Sequence, residues 1–350
     1  MNAPSRIVRR RLDLRNGCVD LSHGSGGRAM AQLIAEIFHA AFDNQWLQRG
    51  NDQAVFDAPP GRLAMTTDGY VISPLFFPGG DIGSLAVHGT VNDIAMSGAR
   101  PLYLTASFIL EEGFPLADLK RIADSMGAAA RAADVTIVAG DTKVVERGKA
   151  DGVFISTAGV GVVPPGLDLS GDSARAGDVV IVSGTMGDHG VAVMSCRENL
   201  RFDTDLVSDS AALHGLVARV VGAAGGSLRT MRDPTRGGLA ATLNEIAHQS
   251  GVGIRIVEAA IPVRPEVAAA CELLGLDPLH VANEGKLVAI VAADGAAAVL
   301  AAMRAHPQGA QAAIIGKIVE DEHHFVQMTT AFGGDRIVDW LSGEQLPRIC

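Results

Sequence analysis

Acidic residues recur through the first half of the chain beside apolar runs and at turns. They are Asp52 in Asn51-Asp52-Gln53, Asp68 in Thr66-Thr67-Asp68-Gly69, Asp93 in Asn92-Asp93-Ile94 and Asp141 in Gly140-Asp141-Thr142-Lys143. Open α/β sheets display ligand groups at strand ends of this kind. Carboxylates repel phosphate oxygens, so an acidic set binds a nucleotide only with Mg2+ between them. Each Asp alone also fits ordinary turn and cap chemistry; four on one domain favour a metal–phosphate site. Glycine turns offer the other half. His23-Gly24-Ser25-Gly26-Gly27-Arg28 precedes a helical pattern over Ala29–Phe42, so its backbone N–H groups can cradle an anion at a helix start. The run matches neither the P-loop nor the Rossmann glycine pattern.

Further polar groups sit among apolar residues. Lys143 can bind phosphate as a point charge or move a proton. Glu284, in Asn283-Glu284-Gly285-Lys286 before an apolar run, is a general base if burial raises its pKa. A salt bridge explains either residue equally well. Turns at Gly184–Gly190 and Asp233–Gly238 are weaker signals, with Arg236 available to phosphate or to Asp233. His323-His324 reads as an exposed pair, because no third metal ligand lies nearby in sequence. The most unusual feature is the end, Leu346-Pro347-Arg348-Ile349-Cys350. A thiol on the last residue is expected to swing freely and be accessible, with a pKa near or above ~8.5 unless a cation helps. Pro347 as a stiffener and Arg348 as a cation favour a carrier arm.

These groups need elements to hold them. Short β-rich runs at Leu63–Thr67, Leu102–Leu110, Val135–Ala139 and Val153–Val163 alternate with helical patterns at Leu85–Met96 and Leu116–Ala133. Pro164-Pro165-Gly166 then breaks the chain. A strand at Asp178–Ser183 follows, then helices at Gly238–Gln249, Pro265–Leu274 and Ala293–Ala305, with strands at Ile254–Val257, Leu287–Val291 and Ala312–Val319. The reading is two α/β domains, 1–165 and 166–335, and a tail over 336–350.

The 350 residues are enough for two cores. A net charge of −10, with only two Trp, two Tyr and eleven Phe, disfavours a nucleic-acid binder, which needs a basic face and stacking platforms. No apolar h-region follows the basic start, and no apolar run is long enough to span a bilayer. Cys18, Cys196, Cys271 and Cys350 are scattered and form no disulfide or metal pattern. A cytoplasmic protein with reduced thiols is expected.

Four motifs together are similar to one known family. Phe77-Pro78-Gly79-Gly80-Asp81-Ile82-Gly83, Val87–Met96, Gly140-Asp141-Thr142-Lys143-Val144-Val145-Glu146 and the final Pro347-Arg348-Ile349-Cys350 resemble the HypE carbamoyl dehydratases of NiFe-hydrogenase maturation, across all but about the first fifteen residues. These belong to the aminoimidazole ribonucleotide synthetase-like superfamily of two-domain, ATP-using α/β proteins. The resemblance implies a homodimer formed through strands of the N-terminal domain, with that domain binding ATP. It implies that Cys350 receives a carbamoyl group from a HypF-type carbamoyltransferase, that ATP drives its dehydration from thiocarboxamide to thiocyanate, and that a HypC–HypD complex accepts the cyano group for the hydrogenase iron. By motif position Glu284 is the preferred base and Lys143 the second candidate. Asp52, Asp68, Asp93 and Asp141 are then expected to hold Mg2+ and the ATP phosphates. Asn92, Thr142, Gly26 and Gly27 would join them in binding ATP. Gly343 and the polar Ser342–Gln345 stretch would let the tail move.

His88 and His280 stand where the family commonly carries other polar or aromatic residues. Selenophosphate synthetase and thiamine-phosphate kinase share the superfamily, so another ATP-dependent phosphoryl-transfer enzyme is the alternative. Cys18 superficially matches the reactive Cys of the former but lacks its neighbouring Lys. A non-enzymatic thiol carrier would explain Cys350 without explaining the aspartates.

Overall fold

The computed structural model describes residues 11–57, 59–198, 206–341 and 347–350, so the Ser342–Gln345 stretch with Gly343 lies outside the described residues. Two sheets organise the chain. In the first, strands Arg62–Tyr70, Val153–Val163, Arg100–Glu111 and Thr136–Val145 lie side by side in that order. The last pairs in parallel with Arg100–Glu111, and the other pairings are antiparallel. A parallel neighbour requires a crossover, which the Leu116–Ala132 helix provides.

Register explains which face is covered. Tyr70, Ile155, Phe108 and Thr142 form one row across all four strands, and each is buried. The Ile82–Met96 and Leu116–Ala132 helices lie on that side. The residues between belong to the opposite face, where Leu63, Met65 and Ile109 are 56%, 78% and 40% exposed. Ile82–Met96 begins cleanly because the Asp81 side chain accepts hydrogen bonds from the N–H groups of Gly83 and Ser84. The helix is apolar almost all round because the first sheet lies on one side and the second domain on the other.

The second sheet has seven strands, in the order Asp335–Ile337, Val326–Thr329, Gly253–Val257, Ala313–Val319, Val179–Val182, Val288–Val291 and Leu228–Arg232. Its central strands Val179–Val182 and Val288–Val291 are apolar on both faces. Val180, Val182, Val288 and Ile290 meet the Gly238–Ser250 helix; Ile181, Ala289 and Val291 meet His214–Ala224 and Ala296–Arg304. The sheet continues to Ile337 and Val338 is buried, so residues expected to begin the tail are part of this domain. Among the described residues no helix is long and apolar enough to cross a membrane.

Candidate functional site

The segment Asn283–Lys286, leading into strand Val288–Val291, ties together several loops. The Asn283 side chain accepts from the Gly187 N–H (2.7 Å) and donates to the carbonyls of Pro234 and Val281 (3.0 Å each). The two weaker glycine turns are thus joined through one buried amide. Glu284 N–H donates to Asp209 Oδ1 at 3.0 Å, and Lys286 Nζ lies 3.0 Å from Asp209 Oδ2. A side chain at Gly285 would overlap the Asp209 carbonyl, so only glycine fits. The outcome is a Glu284 side chain fixed in the interior, 3% exposed, with Oε1 lacking a hydrogen-bond partner. An orphaned buried acceptor marks a place where a ligand group can bind.

Carboxylates from both domains surround it. Asp93 extends from the Ile82–Met96 helix and accepts from the Thr66 hydroxyl at 2.9 Å. Asp68, two residues along the same strand, lies on the same face as Thr66. Asp233 follows strand Leu228–Arg232. Burial, then repulsion from Asp233, Asp209, Asp68 and Asp93, holds the Glu284 pKa well above the usual range. Burial raises Asp93, and burial with the Asp93 charge pushes Asp233 up to about 7. Arg232 offsets both shifts only partly, and Arg236 offsets that of Asp93. Carboxylate oxygens are hard donors of the kind Mg2+ prefers, and a cation would relieve their repulsion.

The end of the chain enters this site. Cys350 O accepts from the Val71 N–H and Arg348 O from the Ser73 N–H, at 3.2 Å each. Ile349 is 3% exposed in the core of the first domain, a burial that stabilises docking by roughly 1.5–3 kcal/mol. The thiol of half-buried Cys350 is raised by desolvation first, then by the charge of Glu284. This corrects the expected freely swinging sulfur: Ile349 needs burial and draws the thiol inward with it, leaving Cys350 half-buried. The described cysteines are all free; Cys18 and Cys196 are exposed, and burial lifts the Cys271 thiol to about 11.

The other candidates group elsewhere. Asp52 and Asp141, with Thr142, line a cavity of about 280 Å³ whose floor includes Phe38, Phe42 and Phe108. The Gly26–Gly27 turn leads into the helix that supplies Met30, Ile34 and Phe38 to this cavity, and a side chain at either glycine would meet open space. Lys143 is exposed and its Nζ grips both oxygens of Asp141, at 2.8 and 2.6 Å. Asp68 and Gly140 share one row across the sheet, and three strand spacings make about 14 Å. Within one chain, therefore, one Mg2+, with oxygens ~2.1 Å away, cannot bridge Asp68 and Asp141. Likewise Lys143, on the far edge strand, is not brought beside Cys350. Among the described residues no three His, Cys, Asp or Glu form a ready metal cluster.

Asn92 is also corrected. It donates to Ala211 O and Glu284 O (3.0 and 3.2 Å) and accepts from Leu213 N–H (2.7 Å). Its amide is consumed in fastening the two domains, leaving nothing for phosphate. His88 is paired with Ser210 Oγ at 3.0 Å and His280 with Asp339 O at 3.1 Å. Asp209, His189 and Arg197 escaped sequence reasoning. Asp209 sits in a short Ser208-Asp209-Ser210 stretch that reads as a plain loop, His189 lies inside the weak Gly184–Gly190 turn, and Arg197 looks like an ordinary helix end. Asp233 had a signal, its Asp-Pro-Thr-Arg-Gly-Gly turn.

Comparison with known proteins adds to the geometry. Residues 50–163 match the family described as AIR synthase related protein, N-terminal domain, and residues 175–329 match its C-terminal domain. The chain is 76% identical over 345 residues to carbamoyl dehydratase HypE of Bradyrhizobium diazoefficiens, covering 99% of this chain and 100% of the relative. It superposes on a crystal structure of hydrogenase maturation protein HypE in complex with ATP with a TM-score of 0.91 at 51% identity, covering 94% and 99% of the two chains. A crystal structure of a HypE–HypF complex matches with a TM-score of 0.78 at 51% identity, over 88% and 99%.

Proposed function

We propose, since this chain belongs to the HypE carbamoyl dehydratase family of the AIR synthase related proteins, that Cys350 carries the carbamoyl group and Glu284 is the base for its ATP-dependent dehydration. The observation that carries the reading is the docking of the chain's last residues beside Glu284: Ile349 lies in the first domain's core, the Glu284 charge acts on the Cys350 thiol, and Glu284 Oε1 lacks a partner.

Carbamoylation of the sulfur, by a transferase of the HypF kind, gives S–C(=O)–NH2. Hydroxide is a very poor leaving group, so the oxygen must first be converted to a better one. ATP, bound with Mg2+, supplies the phosphoryl group that lets this oxygen leave as phosphate. The rest falls to the chain. The docked tail carries the carbamoyl nitrogen to Glu284, which accepts N–H protons as the C–O bond breaks. The sulfur is left as S–C≡N, with ADP, phosphate and a proton completing the balance. Crowding by like charges makes Glu284 a stronger base than an exposed carboxylate. Partial burial of Cys350 limits bulk water at the group on its sulfur. Asp68, Asp93 and Asp233 are the groups assigned to Mg2+ beside the reaction, while Asp52, Asp141, Thr142 and the Gly26–Gly27 turn are assigned to the nucleotide at the aromatic cavity. Delivery of the cyano group to a HypC–HypD complex completes the reading.

The open face of the first sheet, with Leu63, Met65 and Ile109 exposed, is assigned to a homodimer, and Met65→Glu should give a monomer by sedimentation. The activity is tested by mixing carbamoylated protein with ATP. One ADP should form per carbamoyl group lost as thiocyanate, and none with Cys350→Ala. Dehydration that survives Cys350→Ala would refute the assignment.

A further inference from the structure

The Asp188–Arg197 helix presents two polar groups to the last residues of the chain. His189 and Arg197 are eight residues apart, roughly two turns, so both lie near one face. Arg197 Nη1 donates to Pro347 O at 2.8 Å and Nη2 to Arg348 O at 2.7 Å. The same guanidinium donates from Nε to Ser73 O at 2.8 Å and from Nη2 to that carbonyl at 2.6 Å. It therefore fastens the tail to the strand-like segment that receives it. His189, fully buried, lies with Nε2 2.8 Å from Ile349 O and Nδ1 2.8 Å from Ser208 Oγ. A carbonyl only accepts, so Nε2 carries the proton and Nδ1 accepts from the Ser208 hydroxyl. Ser208 Oγ is itself fixed by the Ser210 N–H at 3.0 Å.

Every carbonyl from Pro347 to Ile349 is thus engaged, and none of these bonds reaches the Cys350 side chain. We propose that Arg197 and His189 are positioning residues that seat the end of the chain by its backbone, aligning whatever Cys350 Sγ carries with Glu284. This deepens the proposed function and rests on it for the catalytic consequence; the seating itself does not. Because the grip is on carbonyls, it holds free thiol, carbamoyl and product alike. The Arg348–Asp151 ion pair, 2.6 Å long but solvent-exposed, adds little.

The test uses the full-length protein and two readouts. Iodoacetamide labelling of Cys350 is followed on the C-terminal peptide by mass spectrometry, with buried Cys271 as the internal measure of folding. Arg197→Met and His189→Leu should each raise Cys350 labelling by roughly tenfold or more, while Arg197→Lys and His189→Gln, which keep a donor, recover part of the protection. Asp151→Asn should stay within about twofold of wild type. ATP-dependent water loss from carbamoylated protein should fall by a comparable factor in Arg197→Met, with the KM for ATP unchanged. Wild-type labelling in both Arg197→Met and His189→Leu, with Cys271 still protected, would overturn the seating. Faster labelling with undiminished water loss would overturn the catalytic role. If the wild-type carbamoyl protein loses no water with ATP, the proposed function fails, while the labelling still decides the seating.

Discussion

Glu284→Gln separates catalysis from structure because it replaces a carboxyl by an amide of nearly the same shape. The side chain is 3% exposed, and burial with four neighbouring carboxylates keeps its pKa well above the usual range. An amide of the same shape carries no charge to desolvate in these surroundings. Oε1 has no hydrogen-bond partner to lose. Folding stability should shift by less than about 1 kcal/mol, which moves the Tm of a chain this size by only about 2 °C. Loss of a general base instead costs roughly 10²–10⁴ in rate, or about 3–5 kcal/mol of barrier. A third effect follows from the charge that Glu284 places beside the thiol: Cys350 in the Gln variant should begin to react with iodoacetamide at lower pH. The assay is single-turnover water loss from carbamoylated protein with ATP, run beside thermal melts. Water loss within about threefold of wild type, in a variant with unchanged Tm, would refute Glu284 as the base.

Other outcomes follow from the same geometry. Asn92→Ala leaves the Leu213 N–H and the Ala211 carbonyl without this partner and the Glu284 carbonyl with only the Ala211 N–H, and should cost about 2–4 kcal/mol in urea unfolding. Burial lowers His88 to about 4 from its ordinary 6.5. Below pH 6.5 the unfolded chain binds a proton that the folded chain refuses, so this residue's contribution to stability is lost as pH falls toward 4, by up to about 3 kcal/mol. His88→Gln should flatten that part of the stability–pH curve, measured by denaturant titration at each pH. Cys350→Ala should abolish dehydration while keeping ATP affinity within about twofold, since Asp52, Asp141 and their cavity do not involve the tail; calorimetry of ATP binding checks this.

Local periodicity made much of the fold legible. The runs at Leu102–Leu110 and Val153–Val163 and the helical patterns at Leu116–Ala133 and Pro265–Leu274 carry clear strand or helix signals, and the structure has Arg100–Glu111, Val153–Val163, Leu116–Ala132 and Pro265–Leu274. The Asp188–Arg197 helix escaped because it is buried nearly all round and carries no polar stripe. Strand Leu228–Arg232 is short, and Arg229 and Arg232 interrupt its apolar pattern. At the site, Glu284 and Cys350 were visible as a buried-looking carboxylate and an unusual terminal thiol. Their meeting was not, because it depends on contacts across the whole chain: Ile349 entering the first domain's core and Asn92 joining that domain to residues 211–213 and 284. Sequence also grouped four aspartates that the sheet separates, since strand order, which puts Asp68 and Asp141 on opposite edges, is a tertiary property with no local signature.

One sulfur, that of Cys350, is assigned to carry the carbamoyl group through dehydration. Intact-mass measurement tests it most directly: the protein is incubated with carbamoyl phosphate, ATP and a HypF-type transferase, and the modified residue is located on its peptide. A carbamoyl adduct should appear on Cys350 and lose the elements of one water only when ATP is present. An adduct on another residue, or one on Cys350 that never loses water with ATP, would contradict it.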